Sequence, residues 1–109
     1  MHTSSAMQAC IDNCLRCYRT CLDMASSHCL ELGGEHAKPA HIQLMLACSE
    51  VCRSAAHLML LGTPHHRHLC EECAEICEDC ARDCGRVGQM EDCVRACRAC
   101  AESCRKMAG

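Results

Sequence analysis

The chain has no tryptophan, no phenylalanine and a single tyrosine in 109 residues. Leucine, isoleucine and valine number ten, three and three, so large hydrophobes supply about 15% of the chain, below the roughly 20% under which a packed core comes into question. A conventional aliphatic core is therefore excluded. The shortage of aromatics also removes any platform on which nucleic-acid bases could stack. Charge of one sign is missing too: 11 Lys and Arg are interspersed with 14 Asp and Glu for a net −3, which leaves no basic field to hold a phosphate backbone. The longest aliphatic stretch, around Leu58 to Leu61, is far too short to span a bilayer. Met1-His2-Thr3-Ser4-Ser5 has neither the basic n-region nor the apolar h-region of a secretory signal. The expectation is a soluble cytoplasmic chain that engages neither nucleic acid nor membrane.

Sulfur is what the sequence has in abundance, with 16 Cys and 7 Met alongside 8 His. Half of the residues count as apolar only because Cys and 14 Ala are included, so the interior must be largely thiol. In a reducing compartment a disulfide for every pair is not expected, and metal ligation is the more natural use of such thiols.

Gly33-Gly34 with Pro39, Gly62-Thr63-Pro64, and Gly85 with Gly88 divide the chain into four stretches rich in Ala, Leu, Glu and Arg. Free of internal Gly and Pro, these stretches read as helices. The pattern predicts one all-α domain over 1–109, an antiparallel four-helix bundle with helices over about 4–32, 40–61, 64–84 and 90–107. Thr63 is placed to cap the third helix, and Glu91, Asp92, Arg105 and Lys106 stand at the ends of the fourth where the helix dipole favours their charges.

Cysteine spacing carries the chemistry. Cys10, Cys14, Cys17 and Cys21 step by 4, 3, 4; Cys70, Cys73, Cys77, Cys80 and Cys84 by 3, 4, 3, 4; Cys93, Cys97, Cys100 and Cys104 by 4, 3, 4. These are helical seams made of cysteine. Cys48 and Cys52 extend to His41, Met45, Ala55 and Met59 at the same spacing, so 15 thiols face one axis. The first seam continues to Met7 at one end and to Met24 and His28 at the other. Cys29 falls off it, on the neighbouring stripe of Ile11, Leu15, Tyr18, Leu22, Ala25 and Leu32, and is read as a different kind of cysteine.

A single Cys on a helical seam is ordinarily a small buried hydrophobe, but packing alone does not explain the avoidance of Leu at nearly every seam position. Disulfide scaffolds show irregular Cys spacing between Gly- and Pro-rich loops. Zinc ribbons need CxxC pairs on tight turns, whereas Cys14/Cys17, Cys70/Cys73, Cys77/Cys80 and Cys97/Cys100 lie inside helical patterns. The ferredoxin order, a thioredoxin context and the Glu-x-x-His pairs of di-iron bundles are all absent.

Soft thiolate and thioether ligands select Cu(I). A bridging thiolate shared by two-coordinate ions gives roughly one Cu(I) per core Cys, about 13 to 17 in all, so charge cancels ion by ion. A tetrathiolate zinc site instead leaves about −2, costly to bury without partners. The reading is a non-enzymatic Cu(I) storage protein. A zinc or other soft-metal sequestering protein, a redox-active dithiol protein and a disulfide-stapled module stand as rivals.

These residues resemble the four-helix-bundle copper storage proteins of the cytosolic type over essentially the whole chain. The likeness rests on the run from Cys10 through Cys21, the Cys48-Ser-Glu-Val-Cys52 pair, the Cys70-to-Cys84 run ending in Gly85, and Cys93 through Cys104 ahead of Lys106-Met107. The resemblance implies a Cys-lined core for many Cu(I) ions, loading through one end, and a homotetramer. This chain departs at His41, where relatives can carry Cys, and in the Arg86–Asp92 turn, where some are His-rich and this chain offers Met90. His28, His41, Met45 and Met90, with Met24, gather at the end formed by the Gly33 and Gly85 loops and are the candidate entry residues. Met7, Met59 and Met107 with Leu61 and Leu69 suit an apolar plug at the opposite end. His57, His65, His66 and His68 are read as surface or capping residues, and Glu78, Arg82 and Arg98 as a solvated face.

Overall fold

Ala, Cys, Glu and Arg favour or tolerate the helical backbone, and each Gly-free stretch winds up accordingly. The computed structural model describes residues 4–109; Met1-His2-Thr3, part of the segment read above for an export signal, lies outside them. Helix α1 (Ser5–Asp23) starts at Ser4, whose Oγ accepts the Met7 amide at 3.1 Å. It runs through a π turn (Met24–His28) into α2 (Cys29–Leu32), and the three together form the first rod. A 3₁₀ turn (Gly34–Ala37) leads to α3 (Pro39–Leu61), with Pro39 in the first turn where its missing N–H costs nothing. Helices α4 (His66–Val87) and α5 (Glu91–Ala108) complete four rods. Each rod packs on two neighbours, α1 on α3 and α5, and α4 on α3 and α5, closing an antiparallel bundle with extents of 45 × 19 × 18 Å.

Local details refine the ends. Gly85 does not stop α4, which continues to Val87 and ends at Gly88, whose φ of 80° only glycine adopts freely. Thr63 Oγ1 accepts the His65 amide at 3.3 Å in the connecting turn, one residue ahead of the helix proper. Helix α3 as a whole is long and apolar enough by length and composition to cross a bilayer, which the Leu58–Leu61 stretch by itself does not suggest. Part of that character is bundle core, because Met45, Cys48, Cys52, Ala55, Ala56 and Met59 are buried.

The first rod departs from regular periodicity at its π turn. Ser26 Oγ donates to the Leu22 carbonyl at 2.8 Å and Ser27 Oγ to the Asp23 carbonyl at 2.7 Å. Such back-bonding competes for the carbonyls of the i→i−4 ladder, and here the Cys29 amide reaches back five residues to Met24. The widened turn absorbs one extra residue. Its consequence is a shift of register: Cys29 turns into the bundle with 0% exposure, while His28 is left half-buried at the rim. The expectation that the seam continues to His28 and excludes Cys29 is thereby corrected.

All 16 cysteines are buried and unpaired, and Ile11, Met45, Met59 and Met90 are the large apolar side chains that share the deepest core with them. Sulfur fills the space that Leu and Phe fill in an ordinary bundle.

Candidate metal centre

Four rods whose seams carry Cys every three or four residues must bring the thiols into layers, because those positions recur on one face of each helix. The sulfurs accordingly form a continuous path along the bundle axis. From the end near Met7, Cys10 meets Cys104 at 3.7 Å, and Cys104 meets Cys14 at 3.6 Å. Cys100 joins Cys14 at 3.6 Å and Cys73 at 3.7 Å, and Cys73 joins Cys52 at 3.6 Å. Cys77 then links Cys52 (3.6 Å), Cys48 (3.7 Å) and Cys17 (3.9 Å). Cys17 and Cys21 lie 3.6 and 3.7 Å from Cys97, and Cys21 reaches Cys93 at 3.6 Å. Cys80 and Cys84 pair at 3.9 Å, and Cys70 joins Cys10 and Cys104 in a group with all sulfurs within 4.8 Å of one another. These spacings far exceed the roughly 2.05 Å of a disulfide.

Shared corners decide what such a lattice can hold. The four-sulfur groups are Cys14/Cys73/Cys100/Cys104, Cys17/Cys21/Cys48/Cys97 and Cys17/Cys52/Cys77/Cys100. Cys17 and Cys100 belong to two groups each, and Cys104 to one group and to the Cys10/Cys70 triad. Independent tetrathiolate sites cannot all be filled when they share ligands. Bridging thiolates and low-coordinate ions can use every sulfur, since two metal–sulfur bonds of about 2.3 Å span about 4.6 Å. Electrostatics agrees: the buried polar residues among those described are His36, His41 and Ser49, with no Lys or Arg to offset accumulating negative charge. A monovalent ion per thiolate keeps the bore neutral.

Hydrogen bonds between thiols drive neighbouring acidities apart. Cys21, then Cys84 and Cys97, bring Cys80 down to about 6 against the opposing effects of Cys48 and burial. Cys70 is pushed up to about 12, first by Cys10 and also by burial. Cys100 is lowered, chiefly by Cys104 and Cys14, while Cys104 is raised, chiefly by Cys10 and Cys100. A thiolate that forms is held by S–H donors, and those donors stay protonated. Complete ionisation of the lattice needs cations to replace the protons.

At the Gly33 and Gly88 end the candidate entry residues separate into two layers. Inside, Cys29 Sγ lies 3.5 Å from His41 Nε2, 3.8 Å from Met45 Sδ and 3.7 Å from Met90 Sδ, and burial pushes the Cys29 thiol up. Outside, His28 and His36 hold the loop that carries Met90: His28 Nε2–H donates to the Gln89 carbonyl at 2.9 Å and His36 Nε2–H to the Gly88 carbonyl at 2.8 Å. The rings of His28, His36 and His41 follow one another edge to face, with centroids 6.1 and 6.3 Å apart. A cleft of about 250 Å³, lined in part by Cys84, Gly88, Gln89 and Met90, opens beside this loop. Met24 packs on the core only partly buried, as do Met7, Leu69 and Met107 of the opposite end, where Met59 is fully enclosed.

The sequence reading passed over His36 and Asp83 and set Cys29 apart. Asp83 Oδ2 accepts from His41 Nδ1 at 2.6 Å, and its Oδ1 takes Arg86 at 2.9 Å. Burial works to raise its carboxyl, but His41 and Arg86 outweigh that and hold it below the usual range. The signals were present in part: Asp83 adjoins Cys84, and Cys29 follows two adjacent serines one residue beyond a seam position. Glu78 and Arg82 sit on the outside as read, in ion pairs with Arg105 and Asp79 respectively.

Comparison with known proteins gives a concordant set of likenesses. The family described as "Copper storage protein" matches residues 3–109. The Nmul_A1745 protein from Nitrosospira multiformis is 51% identical in its crystal structure, with 97% of each chain covered and a TM-score of 0.95. The Cu(I)-bound copper storage protein BsCsp3 is 34% identical, with 96% of this chain and 100% of that chain covered and a TM-score of 0.88. Apo copper storage protein 3 from Bacillus subtilis is 34% identical, with 94% and 98% covered and a TM-score of 0.81.

Proposed function

This chain belongs to the copper storage protein family, and from that premise we propose that it sequesters and stores many Cu(I) ions on its core thiolates. The observation that carries the reading is the sharing of Cys17, Cys100 and Cys104 between adjacent sulfur groups, which supports bridging ligands and so a polynuclear thiolate cluster. The proposed ligands are Cys10, Cys14, Cys17, Cys21, Cys48, Cys52, Cys70, Cys73, Cys77, Cys80, Cys84, Cys93, Cys97, Cys100 and Cys104, at roughly one ion each. The role is storage and not catalysis.

Entry is assigned to the Gly33 and Gly88 end. His41, Met45 and Met90 stand in the bore there, His28 stands on the rim, and the cleft lined in part by Cys84 supports an approach from outside. Sixteen free thiols suit the reducing cytoplasm. The exposed Leu15, Leu22, Leu46, Leu60 and Leu61 support assembly with further copies of the chain, a tetramer by family likeness, over a membrane-bound state.

Parallel anaerobic titrations of the reduced protein with Cu(I) and with Zn(II), followed by competition between them, test the reading. Cu(I) should occupy the whole lattice and displace any zinc. Retention of three or four Zn(II) ions in the presence of excess Cu(I) would instead favour isolated tetrathiolate sites.

A further inference from the structure

We propose that Cys29, His41, Met45 and Met90 form a discrete mononuclear Cu(I) site at the end of the bundle, separate from the bridged thiolate lattice. The inference rests on the storage reading and adds to it a site of different composition. Among the described residues, the hydrogen-bonding partners of the Cys29 sulfur are one imidazole and two thioethers, with no thiol among them. All four residues are at most 2% exposed. One thiolate with three neutral soft or borderline donors suits a single Cu(I). The ion replaces the Cys29 proton, which passes to solvent, so the pocket stays neutral.

The surroundings hold the imidazole in the form a ligand requires. Asp83 accepts from His41 Nδ1–H, which leaves the Nε2 lone pair directed at the Cys29 sulfur. A carboxylate behind a ligating histidine fixes the tautomer and orientation in this way. Asp83 is in turn held by Arg86, and Arg86 by Glu35 across the 3₁₀ turn at 3.1 Å. Asp83 is thus a positioning residue. Met90 arrives from the far side on the loop latched by His28 and His36, and the π turn supplies Cys29. Four elements therefore converge on one point, in a pattern that seam periodicity does not generate.

A site with a single anionic ligand, next to the outer loop, should exchange its ion more readily than the bridged core. The test compares the full chain with its Cys29→Ala and Asp83→Asn variants, loaded anaerobically with Cu(I), by native mass spectrometry and by ¹⁵N correlation spectra of the histidines. The parent should bind one equivalent more than Cys29→Ala, and His41 Nε2 should shift on loading while the His28 and His36 resonances hold. Asp83→Asn should keep its helical content and lose the uniform Nδ1–H form of His41. Equal stoichiometry in the parent and Cys29→Ala, with His41 Nε2 unmoved at full loading, overturns the site while leaving storage intact. A parent that binds only about three or four ions overturns the storage reading on which the site rests.

Discussion

A thiol in this bore behaves according to its neighbours. Hydrogen bonds from Cys21, Cys84 and Cys97 favour the thiolate of Cys80, against the opposing effects of Cys48 and burial. Cys70 is pushed the other way, first by Cys10 and also by burial. Because ligation requires the thiolate, each incoming Cu(I) must displace a proton wherever the thiol is still protonated, and rising pH favours binding. Titration in weak buffer should therefore release close to one proton per ion, with tighter apparent binding at pH 8 than at pH 6; uptake without proton release contradicts this. Replacing both Cys77 and Cys80 with Ser should lower capacity by about two ions, since hydroxyls ligate Cu(I) poorly. Each hydroxyl left unsatisfied in the sulfur core should also cost about 1 to 3 kcal/mol, measurable as a lower urea midpoint of the metal-free protein. The inward placement of the lattice residues was legible because a thiol every three or four positions falls on one face of a helix. Asp83 was not, because an acid beside a seam looks like any solvated carboxylate until His41 is found opposite it.

At the level of elements, the four rods could be read from Gly and Pro punctuation, and their inward faces from cysteine spacing. The π turn could not. A periodicity argument assumes 3.6 residues per turn throughout, so it carried the seam to His28 and pushed Cys29 aside. Ser26 and Ser27 are the local cause of the wider turn. Changing both to Ala should restore regular α geometry and rotate Cys29 out of the core, making it labelled by a maleimide that the parent excludes; persistent protection of Cys29 would refute this account of the turn. The loop that carries Met90 gives a second element-scale expectation. Removing the latches with His28→Ala and His36→Ala should speed Cu(I) loading in stopped-flow while leaving capacity unchanged. If loading instead responds to changes at Met7, Met59 and Met107, the port lies at the other end.

For the whole molecule, neutral thiols packed as small hydrophobes allow the bundle to fold before metal arrives. Circular dichroism of the reduced apoprotein should thus show a predominantly helical chain, unlike a peptide that folds only on metal; a coil spectrum contradicts preorganisation. The all-α class and sulfur core were legible in the sequence, since the scarcity of Leu, Ile, Val and Phe leaves nothing else to fill four rods. The outer apolar face of α3 was less so, because Leu46, Leu60 and Leu61 interleave with the buried seam and become visible as exposed only in the fold. The central claim is that the sulfurs act as one shared lattice. Native mass spectrometry of the fully reduced protein saturated with Cu(I) tests it most directly. Bridging predicts on the order of 15 ions per chain, with one more if the Cys29 site is filled, whereas saturation at about three or four would mean separate tetrathiolate sites and contradict the account.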